Sequence, residues 1–185
     1  MPKTAPIDVL TYRVAVSQDV ESVVRLVESA YRGDASRVGW TTEADLLDGQ
    51  RTDAQSIEEL VASSNDRLLM AEAAGSIVAS CHLRREDEAA YFGMFAVVPG
   101  LQANGVGRLV LAEAERYAHS ELGALEMRMT VIDCRTELIA WYERRGYART
   151  GEHAPFPYGD ERFGQPRRSD LRFETLRKRL QGIVA

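Results

Sequence analysis

The chain has 185 residues and a mass of 20.6 kDa, with 23 Lys and Arg against 28 Asp and Glu, so its formal net charge is −5. Hydrophobic residues make up 45% and charged residues 28% of the sequence, which is typical of a globular protein and excludes a disordered chain. The length predicts a single domain spanning residues 1–185. The acidic balance excludes a general attraction for nucleic acid or an anionic membrane, because both favour a basic surface.

The cysteines and histidines are scattered along the sequence. Cys81 and Cys134 lie far apart, and two isolated cysteines fit neither a disulfide framework nor a zinc site, so we expect no metal. The stretch from Met1 to Thr11 does not have the apolar core of a signal peptide, and no apolar run approaches the roughly 20 residues that span a bilayer. These features predict a cytoplasmic protein with reduced thiols.

The first predicted elements are a strand and an amphipathic helix. The strand covers Tyr12 to Val16, and Ser17 is the expected cap of the helix that follows. Apolar residues then recur at helical spacing as far as Tyr31, and Gly33 ends the helix.

The stretch after this helix is less regular. Thr41 or Thr42 is expected to cap a short helix that runs through Leu47. A second helix follows, with Ser56 and Glu59 at the spacing of a capping box. Because no tract rich in Gly, Ser or Pro occurs here, we interpret the stretch as a lid rather than a linker.

From residue 68 onward, the sequence predicts a three-stranded meander followed by alternating helices and strands. The predicted elements are strands at 68–73, 77–84 and 89–98, a helix at 105–122, a strand at 125–131, a helix at 136–145, and strands at 147–151 and 171–176. The long loop at 153–170 is of a length that often carries function. Antiparallel strands followed by one strand–helix–strand crossover predict an α/β fold with a mixed, mostly antiparallel central sheet flanked by helices.

The most informative segment joins the end of the meander to the start of a helix. Gly105 and Gly107 have no Cβ, so their backbone can approach a ligand closely. Backbone N–H groups at a helix N-terminus, together with the helix dipole, bind anions. The segment predicts a site for a phosphate or pyrophosphate. The alternative interpretation is a tight turn that only lets the helix pack.

Two nucleotide-binding motifs do not fit this segment. Gly100 and Gly105 have the spacing of a P-loop, but Val106 stands where that loop needs its lysine. Gly105 and Gly107 match the first two glycines of a dinucleotide fingerprint, but Val110 stands at the third. A nucleotide kinase and a dinucleotide-binding enzyme are therefore disfavoured.

Two separated motifs carry a family resemblance. The first has the pattern V-x-P-x-x-[Q/R]-x-x-G-x-[G/A] and consists of Val97, Pro99, Gln102, Gly105 and Gly107. The second is the helix end Tyr142-Glu143-Arg144-Arg145-Gly146-Tyr147. In these motifs, and in its predicted elements over residues 12–176, the chain resembles the GNAT superfamily of acetyl-CoA-dependent N-acetyltransferases.

The resemblance implies that acetyl-CoA is the cosubstrate. Its pantetheine arm is then expected along the strand end at Phe95, Ala96 and Val97. Its pyrophosphate is expected on the backbone N–H groups of Gln102, Ala103, Asn104, Gly105, Val106, Gly107 and Arg108. Arg135 stands where the family often has an asparagine that contacts CoA, so it is also a candidate for cofactor binding.

The resemblance also implies a direct attack of a neutral amine on the thioester, in which the enzyme orients both reactants and protonates the leaving thiolate. Tyr142 occupies the position of the tyrosine that usually serves as this acid. The alternative interpretation of Tyr142 is an ordinary core aromatic residue beside Trp141.

The sequence gives weaker signals for the general base and for the residues that bind the amine substrate. Glu43 is our candidate for steering the amine or relaying its proton, although a glutamate in the first turn of a helix is also favoured by the dipole. Asp133 and a water relay stay open as alternatives, and Cys134 has no recognisable histidine partner that would make it a nucleophile. The residues expected to face the substrate are Tyr31, Trp40 and Phe156.

Two functions from different classes follow. The first is acetyl transfer from acetyl-CoA to a primary amine, carried by a small molecule or a peptide. The second is a non-catalytic acyl-CoA-binding regulatory module, since a fold does not by itself imply turnover. The resemblance also makes a homodimer a possible assembly.

Overall fold

The computed structural model describes residues 9–181, except for the side chain of Glu161. The helices are Val20–Tyr31 (α1), Gly33–Ser36 (α2), Ala54–Ala62 (α3), Val106–Ser120 (α4) and Thr136–Glu143 (α5). The strands are Thr11–Val14 (β1), Leu47–Asp48 (β2), Asp66–Ala73 (β3), Ser76–Glu86 (β4), Ala89–Val97 (β5), Glu126–Ile132 (β6), Ala148–Pro155 (β7), Gln165–Pro166 (β8) and Arg172–Arg179 (β9). None of the helices within this range is long and apolar enough to cross a membrane.

Seven of these strands form one sheet in the order β1-β3-β4-β5-β6-β9-β7, and β2 and β8 pair separately. Neighbouring strands of the large sheet are antiparallel except for β5 and β6, which are parallel. A parallel pair needs a crossover, and α4 provides it between the two strands. The prediction of a mixed, mostly antiparallel sheet flanked by helices is confirmed.

Both faces of the sheet are covered by helices, because alternate side chains of a strand point to opposite faces. On β3, Leu68 and Met70 pack with α1 and α3, whereas Leu69 and Ala71 pack with α4 and α5. All four side chains are buried. The two apolar cores therefore share the sheet as their common wall.

The first two strands of the predicted meander form an antiparallel hairpin, β3 and β4. Ala74 and Gly75 at its tip both have a positive φ, at 49° and 77°. Two such residues in succession give the tight turn that matches the twist of the flanking strands.

Two helix caps differ from the prediction. Ser17 does not cap α1, because it begins a separate 3-10 turn in which Asp19 Oδ2 accepts a 2.8 Å hydrogen bond from the Val16 N–H. In α3 the cap is Asp53, whose carboxylate accepts from the Ser56 N–H at 2.7 Å. Asp and Ser both cap helices well, so local preference alone did not decide between them.

The predicted helix from Thr41 or Thr42 through Leu47 is wrong. The helical residues lie earlier, in α2, and Leu47 instead belongs to β2 and pairs with Pro166 of β8. Leu47 is buried beside Phe156, so a contact distant in sequence overrides the local preference. We call residues 33–50, which run from α2 to the turn after β2, the lid segment.

Candidate functional site

The site lies where the parallel strands β5 and β6 separate. Their pairing extends only from Ala89 to Tyr91 on β5, opposite Glu126 to Arg128 on β6. Beyond Tyr91, β5 pairs with β4 alone, and its register shifts between Ser80 and His82 of that strand. Met94 in this irregular part has a φ of 43°, which is strained for a residue with a side chain. The separation leaves a gap at the carboxyl ends of the two strands.

The first cavity lies between the end of β5, the start of α4 and α5, and has a volume of about 300 Å³. Apolar and aromatic side chains form much of its wall. The lining residues are Tyr31, Trp40, Thr41, Phe95, Val97, Gln102, Ala103, Gly105, Gly107, Arg108, Arg135, Leu138, Trp141, Tyr142 and Arg145. Most of the predicted cofactor residues therefore meet around one cavity.

The glycine loop forms the polar end of this cavity. Gly105 precedes α4 with a φ of 84°, a left-handed conformation that glycine adopts without steric cost. The helical hydrogen bonds begin with the N–H of Leu109, which donates to the Gly105 carbonyl at 3.1 Å. The N–H groups of Val106, Gly107 and Arg108 come before it, so they are the groups that a helix leaves for an external acceptor.

The side chain of Gln102 has a structural role that the prediction, which concerned its backbone N–H, did not include. Its amide nitrogen donates to the Val97 carbonyl at 3.1 Å and to Thr41 Oγ1 at 2.9 Å. Its amide oxygen accepts from the Thr41 N–H at 3.3 Å. A Cβ on Gly39 would lie 2.5 Å from this oxygen, so the lid segment passes directly over the side chain. The Gln102 side chain thus ties the lid segment to the end of β5.

Arg145 and Trp141 line the cavity without having been singled out from the sequence. The Arg145 guanidinium lies 3.6 Å from the Trp141 ring centroid, and its Nη1 donates to the Trp141 carbonyl at 2.7 Å. Its Nε is buried without a partner among the described residues. Burial, followed by the charges of Arg144 and Arg108, lowers the pKa of Arg145. The signal in the sequence was the basic pair Arg144-Arg145 directly after α5.

Tyr142 stands on the boundary between this cavity and a second one. The residues that line both cavities are Tyr31, Phe95, Arg135, Leu138 and Tyr142. The Tyr142 ring is only 5% exposed and packs edge-on against Trp141 and Tyr147. Burial raises the pKa of its hydroxyl well above the ordinary value of 10.0, so the group stays protonated at neutral pH.

Tyr31 is held firmly at the same boundary. Its hydroxyl donates a 2.6 Å hydrogen bond to the Phe95 carbonyl, in the part of β5 that has left β6. Burial and the nearby charge of Glu43 raise the pKa of Tyr31 to about 12. Because its hydroxyl is bonded to the backbone, the ring forms a fixed wall.

The second cavity lies in the gap between β5 and β6 and has a volume of about 150 Å³. Its walls combine apolar and aromatic side chains with polar and charged groups in about equal measure. The lining residues are Tyr31, Glu43, Arg51, Tyr91, Phe92, Gly93, Met94, Phe95, Met129, Thr130, Val131, Ile132, Arg135, Leu138, Tyr142, Phe163 and Phe173. Sequence reasoning missed Arg51, Tyr91, Phe163 and Phe173, because no local motif connects these distant positions.

Glu43 lies beside this cavity in a buried ion-pair cluster. Its two carboxylate oxygens accept hydrogen bonds from Arg32 at 2.8 Å and Arg135 at 2.9 Å. Burial alone would raise its pKa, but the charges of Arg135, Arg51 and Arg32 lower it below the ordinary value of 4.5. Glu43 is therefore an ionised partner of two arginines, an arrangement that favours a structural role over proton transfer.

Arg135 has little freedom to reach a phosphate. Besides Glu43, it donates from Nη2 to the Thr41 carbonyl at 2.6 Å. Its two terminal nitrogens thus hold the lid segment against the start of α5. It lines both cavities, so it contributes positive charge near their boundary rather than at the glycine loop.

Several predicted residues lie elsewhere than expected. Trp40 lines the first cavity, 6.1 Å from the Trp141 ring centroid, instead of the second. Phe156 is absent from the lining of both cavities and packs behind Phe173, which does line the second. Ala96 points into the core beneath α1. Phe156 and Ala96 can therefore support the site only through their backbone or through neighbouring side chains.

Comparisons with known proteins agree with this geometry. The model of the acetyltransferase (GNAT) family matches residues 26–147. The chain is similar to the ribosomal-protein-S18-alanine N-acetyltransferase from Escherichia coli, with 13% identity and a TM-score of 0.69 over 96% of this chain and 99% of that chain. It is also similar to the spermidine/spermine N-acetyltransferase SpeG from Vibrio cholerae, with 16% identity and a TM-score of 0.66 over 95% of each chain. No curated protein matches the sequence.

A third solved structure, the N-acetyltransferase from Staphylococcus aureus Mu50, has 11% identity and a TM-score of 0.68 over 93% of this chain and 98% of that chain. Identities this low show a shared fold and leave the substrate open.

Proposed function

The chain belongs to the acetyltransferase (GNAT) family, and we propose that it moves an acetyl group from acetyl-CoA to a primary amine, with Tyr142 protonating the CoA thiolate. The observation that carries this proposal is the pair of cavities that meet at Tyr142. One cavity ends at an anion-binding loop and the other is closed by side chains of β5 and β6. The donor and the acceptor can therefore approach one point from two sides.

The first cavity fits the acetyl-CoA substrate. The N–H groups of Val106, Gly107 and Arg108 suit the pyrophosphate, and the Arg145 Nε is a buried donor without a described partner. The apolar wall at Phe95 and Val97 suits the pantetheine arm, next to a strand edge that β6 has left free. Free thiols at Cys81 and Cys134 agree with the cytoplasmic location proposed from the sequence.

The chemistry needs little beyond orientation and one acid. The amine nitrogen bonds to the thioester carbonyl carbon, and the C–S bond breaks. The departing sulfur takes the proton of the Tyr142 hydroxyl, the amide nitrogen loses its extra proton to solvent, and solvent returns a proton to Tyr142. Tyr142 fits the acid role because its raised pKa keeps it protonated over the working range of pH.

The general base is proposed to be water. Glu43 has both oxygens engaged by arginines and a lowered pKa, which makes it a weak proton acceptor. We propose that it instead holds Arg32, Arg135 and the lid segment in place.

The decisive experiment measures CoA release from acetyl-CoA over a panel of amines by chromatography, because a thiol reagent would also react with the partly exposed Cys134. For the best amine, Tyr142→Phe is expected to lower kcat by about 100-fold or more, with little change in KM for acetyl-CoA. The wild-type rate is expected to rise with pH, because more of the amine becomes neutral. It is expected to show no fall up to about pH 9, because the raised pKa keeps Tyr142 protonated.

Tyr117→Phe is the matched control, since Tyr117 is a partly buried tyrosine of α4 outside both cavities. An alkaline fall that disappears in the Tyr142→Phe variant would contradict an acid with a raised pKa. Binding of acetyl-CoA without product from any amine would instead support a non-catalytic acyl-CoA-binding module.

A further inference from the structure

The second cavity carries more positive than negative charge. Arg51 and Arg135 line it together with one acid, Glu43. That acid is already paired with Arg135 and with Arg32, which is buried behind it. The arginines around the cavity thus outnumber the carboxylates, and the carboxylate charge is already used.

Arg51 is the arginine that remains available. Its guanidinium carbon lies 5.4 Å from the centroid of the Tyr31 ring. Among the side chains that the structure describes, no carboxylate lies within 4.0 Å of its charged nitrogens. An arginine that lines a small cavity without an acid partner is suited to pair with an anionic group of a ligand.

Hydrogen bonds hold the backbone of Arg51 and the aromatic ring beneath its guanidinium. Its own backbone N–H donates to Glu28 Oε1 at 2.5 Å, and the N–H of Thr52 donates to the same oxygen at 2.8 Å. Tyr31, beneath the guanidinium, is fixed by its hydrogen bond to the Phe95 carbonyl. The anchored backbone and the fixed ring limit where the guanidinium can lie, which lowers the cost of ordering it when a ligand binds.

We propose that the acceptor amine carries a carboxylate and that the Arg51 guanidinium binds it in the second cavity. This inference rests on the proposed acetyltransferase function and names the substrate class of its acceptor site. The apolar part of the wall, which includes Met129, Ile132 and Phe173, suits an aliphatic or aromatic side chain. The acceptor is then of amino-acid type.

The same charges disfavour a polyamine. A polycation would bring several positive charges beside Arg51 and Arg135, and it would find the Glu43 carboxylate already engaged. A neutral amine would leave Arg51 without an anionic partner. A carboxylate balances the charge of the cavity in a way that neither alternative does.

The test compares acceptors that differ in one group. Methionine, methioninamide and 3-(methylthio)propylamine share a side chain, and only methionine carries a carboxylate; spermidine represents the polycations. Acetylated products are measured by mass spectrometry after incubation with acetyl-CoA. We expect kcat/KM for methionine to exceed that for its amide by about 10-fold or more, as for a charge-assisted hydrogen bond. The α-amino group of methioninamide is less basic than that of methionine, so a larger fraction of it is neutral. A preference for methionine therefore cannot come from a larger neutral fraction of the amine.

Variants of Arg51 separate recognition from folding. Arg51→Gln is expected to raise KM for methionine by about 10- to 100-fold, with kcat and the rate for the amide nearly unchanged. Arg51→Lys keeps the charge and should recover part of the loss. Arg25→Gln is the control, because Arg25 lies exposed on α1 and contacts Glu21 and Ser22 of the same helix.

Two outcomes distinguish this inference from the proposed function. The carboxylate proposal would be contradicted if neutral or polycationic amines reacted in preference to methionine and Arg51→Gln had no effect on KM. That result would leave the proposed acetyl transfer unaffected. Absence of product from every amine would overturn both.

Discussion

The Glu43 carboxylate lies between Arg32 and Arg135, and all three side chains are nearly excluded from solvent. A buried charge is tolerated when its partners are well placed, and removing one partner leaves the others uncompensated. Replacing Glu43 therefore tests how much its carboxylate stabilises the two buried arginines.

Glu43→Gln is expected to lower the free energy of unfolding by about 3 kcal/mol, because two buried arginines lose their shared counter-ion. Asp45→Asn is the matched control in the same lid segment. Its partner Arg37 is at 2.8 Å, but that pair is exposed, so a loss of about 1 kcal/mol or less is expected. Urea unfolding followed by circular dichroism measures both. Equal losses in the two variants would show that the Glu43 cluster contributes no more than a surface pair.

The loss of stability caused by Glu43→Gln is expected to depend on pH. The folded pKa of Glu43 lies below its ordinary value of 4.5, so its contribution is complete above that value and is lost as pH falls through the folded pKa. The difference in unfolding free energy between wild type and Glu43→Gln should be constant from about pH 6 to 8 and should narrow in acid. A difference that widens on acidification would show a raised pKa.

At the scale of elements, the lid segment depends on contacts with three other parts of the chain. Gln102 bonds to Thr41, and Arg135 bonds to the carbonyl of the same residue. The ribbon of β2 and β8 is the third contact, strengthened by the ion pair between Arg167 and Asp48. The lid segment has little secondary structure of its own, so these contacts hold it over the cavities.

Gly164, next to β8, offers a direct test. Its φ is 86°, and a Cβ there would lie 2.7 Å from the Asp48 carbonyl oxygen. Gly159 in the same loop has a φ of 87° with no atom within 4 Å of the corresponding position. Both changes to alanine incur the left-handed backbone cost of about 1 kcal/mol, and only Gly164→Ala adds a collision of about 1–3 kcal/mol.

Hydrogen exchange of residues 33–50 is the measurement. Gly164→Ala should speed exchange throughout the lid segment, whereas Gly159→Ala should change it little. Equal protection in the two variants would mean that the β2–β8 ribbon does not hold the lid segment.

At the scale of the whole molecule, two cores share one sheet, so the described chain is expected to unfold as one unit. Trp40 and Trp141 lie at the first cavity, whereas Cys81 is fully buried in the core beneath α4. Tryptophan fluorescence therefore reports on the first cavity, and the accessibility of the Cys81 thiol reports on the core. Burial raises the pKa of Cys81, which further suppresses its reaction in the folded protein.

In a Cys134→Ala variant, Cys81 should be labelled only as the protein unfolds, and its midpoint in urea should coincide with that of tryptophan fluorescence. Pulse labelling with a maleimide at each urea concentration measures this. A fluorescence transition at clearly lower urea would show that the site region opens independently of the core.

The glycine loop, the order of the seven strands of the main sheet and the helices α1, α3, α4 and α5 could be predicted from the sequence, because their signals are local; the elements α2, β2 and β8 were not predicted. Helical spacing, alternating strands and Gly105 ahead of α4 each depend on residues close together in the chain, and the structure places them as expected. The cap at Asp53 shows the limit of such signals, since Ser56, three residues later, was an equally suitable cap by local preference.

The sequence by itself determined the family, the sheet flanked by helices and the glycine-loop residues of the first cavity, whereas only the structure places Trp40, Trp141 and Arg145 there. Only the tertiary structure decided where β5 leaves β6, and with it the second cavity, the boundary position of Tyr142 and the charge at Arg51. The second cavity brings together Tyr31, Arg51 and Phe173, which lie far apart in the sequence. Their proximity depends on which strands pair through backbone hydrogen bonds. The physical reason is that local preferences act over a few residues, whereas a cavity is formed by the packing of all the elements around it.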